Sequence, residues 1–66
     1  MEIIKFYNYQ TAMMSSVYQL TSTKPGIGAA YIVHLDDLDS DRRVQPSRIF
    51  KDVDQAAAYA ENLVGA

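Results

Sequence analysis

The run from Arg48 to Val64, RIFKDVDQAAAYAENLV, constrains the fold more than any other part of the chain. A strand-like ending at Phe50 passes into helical spacing through Asp52, placed as an N-cap, with Gln55 three residues on as in a capping box. Val53, Ala56, Ala57, Ala60, Leu63 and Val64 then recur on one side, while Lys51, Asp54 and Glu61 face away. Gly65 follows directly, as a left-handed residue after a helix would. An inner face made almost wholly of alanine lets a helix axis come close to whatever lies beneath it. The pattern predicts a helix over 53–64 that lies on one face of a sheet.

Four segments can build that sheet. Ile3 to Tyr9 is β-branched and aromatic, with Ile4, Phe6 and Asn8 on one face and Ile3, Lys5, Tyr7 and Tyr9 on the other. Neither face is cleanly polar. Either the Lys5 stem lies along partly buried tyrosines, or the aromatics form a binding face. After a turn at Gln10 to Ala12, Met13 to Thr21 reads as a second strand, with Met14, Ser16, Tyr18 and Leu20 opposite Met13, Ser15, Val17 and Gln19. A short helix at 10–15 is the alternative there. Its methionines suit either core gaps or an adaptable contact surface. Ala29 to Leu35 is the strongest strand, with Tyr31, Val33 and Leu35 alternating with Ala30, Ile32 and His34. Val44 to Phe50 is the fourth, with Pro46 near its start as an edge position allows.

Short turns order these strands as a meander. The expected architecture is α+β: a small antiparallel four-stranded sheet with a C-terminal helix packed on one face, in a single domain over residues 1–66. A chain of this size buries only about 60% of the surface its unfolded form exposes, so stability is modest and a monomer or weak dimer is expected.

Two loops imitate sites without completing them. Gly26-Ile27-Gly28 opens like a phosphate-binding loop, but the third glycine would fall at Tyr31, and a strand follows where a helix is needed. Asp37, Asp39 and Asp41 have the spacing of a calcium loop. Arg42, however, occupies the glycine position, and Arg48 stands in place of the bidentate glutamate. No metal or cofactor is expected.

Catalysis finds little support either. His34 is the single histidine and there is no cysteine, so acid–base chemistry would fall to the exposed 36–41 loop, where nothing holds a carboxylate near neutrality. His34 reads as a surface or interface hydrogen-bonding residue. The net charge of −2 has the wrong sign for tracking phosphates and is too small for a DNA mimic, so direct nucleic-acid binding is not expected. The opening MEIIKFYNY lacks a signal-peptide core, and no apolar run approaches the ~18 residues of a membrane span. A cytoplasmic protein with no membrane contact follows.

Three pieces of the chain resemble, in order, a family of phage-encoded anti-CRISPR inhibitors of the type I-F surveillance complex. They are Met1-Glu2-Ile3-Ile4-Lys5-Phe6, the pair Val17-Tyr18, and Ser47-Arg48-Ile49-Phe50-Lys51-Asp52-Val53-Asp54-Gln55. The resemblance implies a non-enzymatic, phage- or mobile-element-encoded protein acting in a bacterial host. It would dock on the backbone subunit of the crRNA-guided complex and block target DNA from pairing. Two aromatic contacts of the family map onto Phe6 and Tyr18, with Tyr7, Tyr9 and His34 as neighbours on the sheet surface opposite the helix. The family's acidic contact has no clear counterpart near Val33-His34-Leu35, and its second helix has none. Tyr31 to Ala60 also resembles the sheet-plus-helix half of HicB-type antitoxins, which implies a small regulatory protein-binding module instead.

Overall fold

The computed structural model describes residues 2–20 and 30–65. Within them the chain runs β1 (Glu2–Asn8), β2 (Met13–Leu20), β3 (Ala30–Asp37), β4 (Arg48–Phe50) and α1 (Val53–Leu63). The strands form one sheet in the order β1-β2-β3-β4, each antiparallel to its neighbour, with α1 packed across one face. This is the expected meander with its helical cover. The turn expected at Ser22 to Gly28, including Gly26-Ile27-Gly28, lies outside the described residues, as do Thr21 and Ala29.

Alanine brings the helix down onto the sheet. Ala56 and Ala60 are fully buried against Val17 and Val33, and Phe6, Tyr31, Phe50, Tyr59 and Leu63 close around this centre. Burying a valine side chain stabilises by ~1.5–3 kcal/mol, so two central valines matter in so small a core. Ser15 is buried with them; its Oγ donates to the Ala60 carbonyl at 2.6 Å, so the hydroxyl carries no unpaired cost. The close approach thus fastens the helix as well as packing it. Ala57, expected on the inner face, is only half-buried at its margin.

Asp52 and Gly65 end the helix as expected, but the capping box does not close, since Asp52 accepts from Asp54 and Gln55 stays exposed. Asp52 has extended backbone and its carboxylate accepts from the Asp54 N–H at 2.9 Å, meeting one of the otherwise orphaned first-turn donors. At the other end Gly65 has φ +76°, and its N–H donates to the Asn62 carbonyl at 3.1 Å. The inner stripe is wider than alanine alone. Tyr59 tilts against Phe50 with ring centroids 5.2 Å apart, and the Arg48 guanidinium carbon sits 5.1 Å and 5.2 Å from the two centroids. The Tyr59 hydroxyl accepts from Gln45 Nε2 at 3.2 Å.

Several expected boundaries shift: β1 spans Glu2–Asn8 against an expected Ile3–Tyr9, β3 runs past Leu35 to Asp37, and α1 ends at Leu63 where 53–64 was expected. The fourth strand was expected from Val44, but β4 holds only Arg48–Phe50. Arg43 makes an isolated bridge to Asp36, the Val44 N–H reaches the Leu35 carbonyl, and the chain then leaves the ladder around Pro46, which has no amide hydrogen to give. Residues 10–15 follow the main expectation of a turn and then a strand, and not the alternative helix. The turn ends at Ala12 and β2 begins at Met13, because Asn8 caps the turn. Asn8 Oδ1 accepts from the Gln10 and Thr11 N–H groups at 3.0 Å and 3.4 Å, and its Nδ2 donates to the Val64 carbonyl at 2.6 Å. One side chain therefore ties the β1–β2 turn to the end of the helix.

That turn forces Ala12 to φ 56°, a region a Cβ disfavours by roughly 1–2 kcal/mol. Ala12→Gly is expected to raise the unfolding free energy by up to about 1 kcal/mol, the unfolded-state entropy of glycine offsetting part of the gain. A urea midpoint at or below the parent's would contradict this account of the turn.

Candidate functional site: the open face of the sheet

Strand pairing decides which side chains meet on the face away from α1. Four rows run across it. Leu20 and Ala30 stand in the first; Glu2, Tyr18, Ile32 and Ile49 in the second; Lys5, Ser16 and His34 in the third; Tyr7, Met14 and Asp36 in the fourth. The register shift between Glu2 and Ile4 places Ile3 as an extra residue at the start of β1, which is why Glu2 and Lys5 reach the same face. They form an ion pair at 3.0 Å, and Glu2 holds the Lys5 ammonium above its usual range. Being exposed, the pair adds little stability.

A second ion pair closes the other margin. Arg43 Nε donates to Asp36 Oδ1 at 2.8 Å, and its Nη1 donates to Ser47 Oγ at 3.1 Å. Ser47 in turn hydrogen-bonds His34 Nδ1. Arg43 and His34 thus meet on one serine hydroxyl, which can accept from the guanidinium and exchange a hydrogen bond with the imidazole. The His34 ring packs 5.5 Å from Tyr18, tilted by 57°. The face thus carries an apolar row of Tyr18, Ile32 and Ile49 and a Tyr7–Met14 pair on either side of the polar Lys5, Ser16 and His34, with an ion pair towards each edge. Ile49 is 59% exposed and Tyr7 47% exposed, although both sit on regular strand.

Burial, and then the Arg43 charge, lower the His34 pKa below its ordinary value, with Asp36 opposing them weakly. His34 is therefore neutral at neutral pH. The unfolded chain binds this proton more readily than the folded one, so the contribution of His34 to stability is flat above about pH 6.5 and falls as pH drops below it. His34→Gln, which can still bond Ser47, is expected to flatten the pH dependence of the urea midpoint between pH 7 and 5 relative to the parent. Parallel profiles for the two proteins would contradict it.

The expected site residues divide. Tyr18, Tyr7 and His34 share the open face. Tyr9 lies in the turn, 81% exposed, stacked on Tyr7 with centroids 6.0 Å apart and planes 7° apart, so it extends the face at one corner. Phe6 does not belong with them. It pairs with Ser15 and packs on the core beneath α1, so the expectation that Phe6 and Tyr18 stand together on the surface away from the helix is corrected. In exchange the structure brings in Met14, Ile32 and Ile49. Alternation had placed Met14 with Tyr18 and Ile32 with His34; Ile49 joins them because it pairs with Ile32.

Among the described residues no group of three or more His, Cys, Asp or Glu side chains is placed to hold a metal ion. No helix among them is long and apolar enough to cross a membrane. No family model matches the chain, and neither a curated protein nor a solved structure matches it.

Proposed function

We propose that this protein is a non-enzymatic binding module that docks on a protein partner with the open face of its sheet. The observation that carries the reading is the uncovered face itself: the row Tyr18, Ile32 and Ile49 and the pair Tyr7 and Met14 stand on strands away from the helix, on either side of a polar row, with an ion pair towards each edge. Aromatic anchors on a fixed scaffold bring large apolar area to an interface at small entropic cost.

The partner we propose is the backbone subunit of the type I-F crRNA-guided complex in the cytoplasm of a bacterial host. Support comes from the resemblance of the opening segment, of Val17-Tyr18 and of the run before the helix to the anti-CRISPR inhibitors of that complex. With Phe6 under the helix, Tyr18 is the family-related anchor left on the face. Docking there would inhibit by covering the surface along which target DNA pairs with the guide.

Titration of the purified complex with this protein, read by loss of target-DNA binding in a mobility-shift assay, tests the reading. Saturable inhibition is expected. Undiminished DNA binding at a large excess of the protein would end the inhibitor proposal.

A further inference from the structure

The two edges of the sheet are unequal. β4 is three residues long and follows Pro46, so it offers little backbone to another strand. β1 is seven residues long, contains no proline, and among the described residues pairs on one side alone, with β2. It is also where exposed apolar side chains gather: Ile3, Ile4 and Tyr7 lie on it and Tyr9 just beyond. A long, apolar edge of this kind is a template for another strand unless charge or a bulge blunts it. Here the bulge lies at the Ile3 end, which leaves Ile4 to Asn8 regular, and the one charge in that stretch, Lys5, is paired with Glu2.

We propose that β1 pairs antiparallel with β1 of a second copy, joining the two sheets into one continuous sheet about a two-fold axis at Phe6. A second copy fits this edge for three reasons. Centring on Phe6 keeps Ile4 to Asn8 paired throughout, places Lys5 opposite Tyr7 of the other chain, and so avoids the Lys5–Lys5 repulsion of a register centred on Lys5. It keeps helix-side residues opposite helix-side residues, as the pleat requires. It also covers what α1 leaves open: the helix packs chiefly on β3 and β2, so Ile4, 39% exposed, and half-buried Phe6 sit at an uncovered margin that the twin strand would close.

The joined sheet bears on docking, although the pairing does not depend on who the partner is. Strands of 7, 8, 8 and 3 residues, about 4.8 Å apart, give an open face of roughly 400 Å². A standard interface takes about 800 Å² from each side, which two faces side by side match and one does not.

The test uses the full chain, which contains no cysteine of its own. Light scattering across a concentration series should show the mass of the parent rising towards twice that of the monomer. Ile4→Lys, which places a charge on the helix-side margin of the edge and does not touch the open face, should remain monomeric with an unchanged far-UV spectrum. Register is read by oxidation: a mixture of Lys5→Cys and Tyr7→Cys proteins should crosslink as a heterodimer, at least tenfold faster than Lys5→Cys alone. A parent that stays monomeric at millimolar concentration overturns the proposal. So does an Ile4→Lys protein that is folded and still dimeric, or equal crosslinking of Lys5→Cys with itself.

Discussion

Ala60→Leu is expected to lower the unfolding free energy by ~1–3 kcal/mol, whereas Ala57→Leu should cost clearly less. Ala60 is fully buried, and its carbonyl receives the Ser15 hydroxyl at 2.6 Å, so helix and sheet meet here with no room for three more carbons. A leucine would lift the helix from Val17 and Val33 and strain the Ser15 bond at the same time. Ala57 sits half-buried at the margin, where a larger side chain can turn outwards. Urea unfolding of both variants distinguishes them. If the two midpoints overlay the parent's, the helix is not held by its alanine face.

Tyr18→Ala should weaken partner binding by ~2 kcal/mol or more while leaving the fold intact. The reason is positional: Tyr18 pairs with Ile32 on the face away from α1, against His34, and takes no part in the core under the helix. Phe6→Ala is the opposite experiment. Phe6 lies on the helix side and packs on the buried centre, so its truncation should lower the melting temperature and leave the affinity of the folded protein nearly unchanged. An affinity loss for Phe6→Ala at unchanged stability, or a collapsed melt for Tyr18→Ala, would reverse these assignments.

The contrast between these two aromatics marks where the sequence stopped being legible. Alternation grouped Ile4, Phe6 and Asn8 correctly, and likewise Met14, Ser16 and Tyr18. It could not say which group of one strand faces the same way as which group of the next, because register settles that and a slip of one residue inverts it. Phe6 meets Ser15, not Met14 or Ser16, and so falls under the helix. Ser15 itself gave no sign of being core; only the Ala60 carbonyl above it makes a hydroxyl tolerable there. The helix was legible from cap to glycine because its signals are local. Tyr59 was not, since its role depends on Phe50 and Arg48 meeting it from another element. The fourth strand was overestimated for a related reason: Val44 to Phe50 looks extended, but the chain around Pro46 bends off the ladder once Arg43 has bridged to Asp36. His34 was placed on its strand but not in its network, because Ser47 and Arg43 come from the loop beyond β3.

The claim that the open face is the docking surface is tested most directly by mapping amide and methyl resonances of the isotopically labelled protein as the purified type I-F complex is added at substoichiometric ratio. Tyr18, Ile32, Met14 and Ile49 should broaden first, together with Tyr7 and His34, while Ala56, Ala60 and Val64 keep their line widths. Broadening confined to the outer side of α1, or none at any ratio, would contradict it.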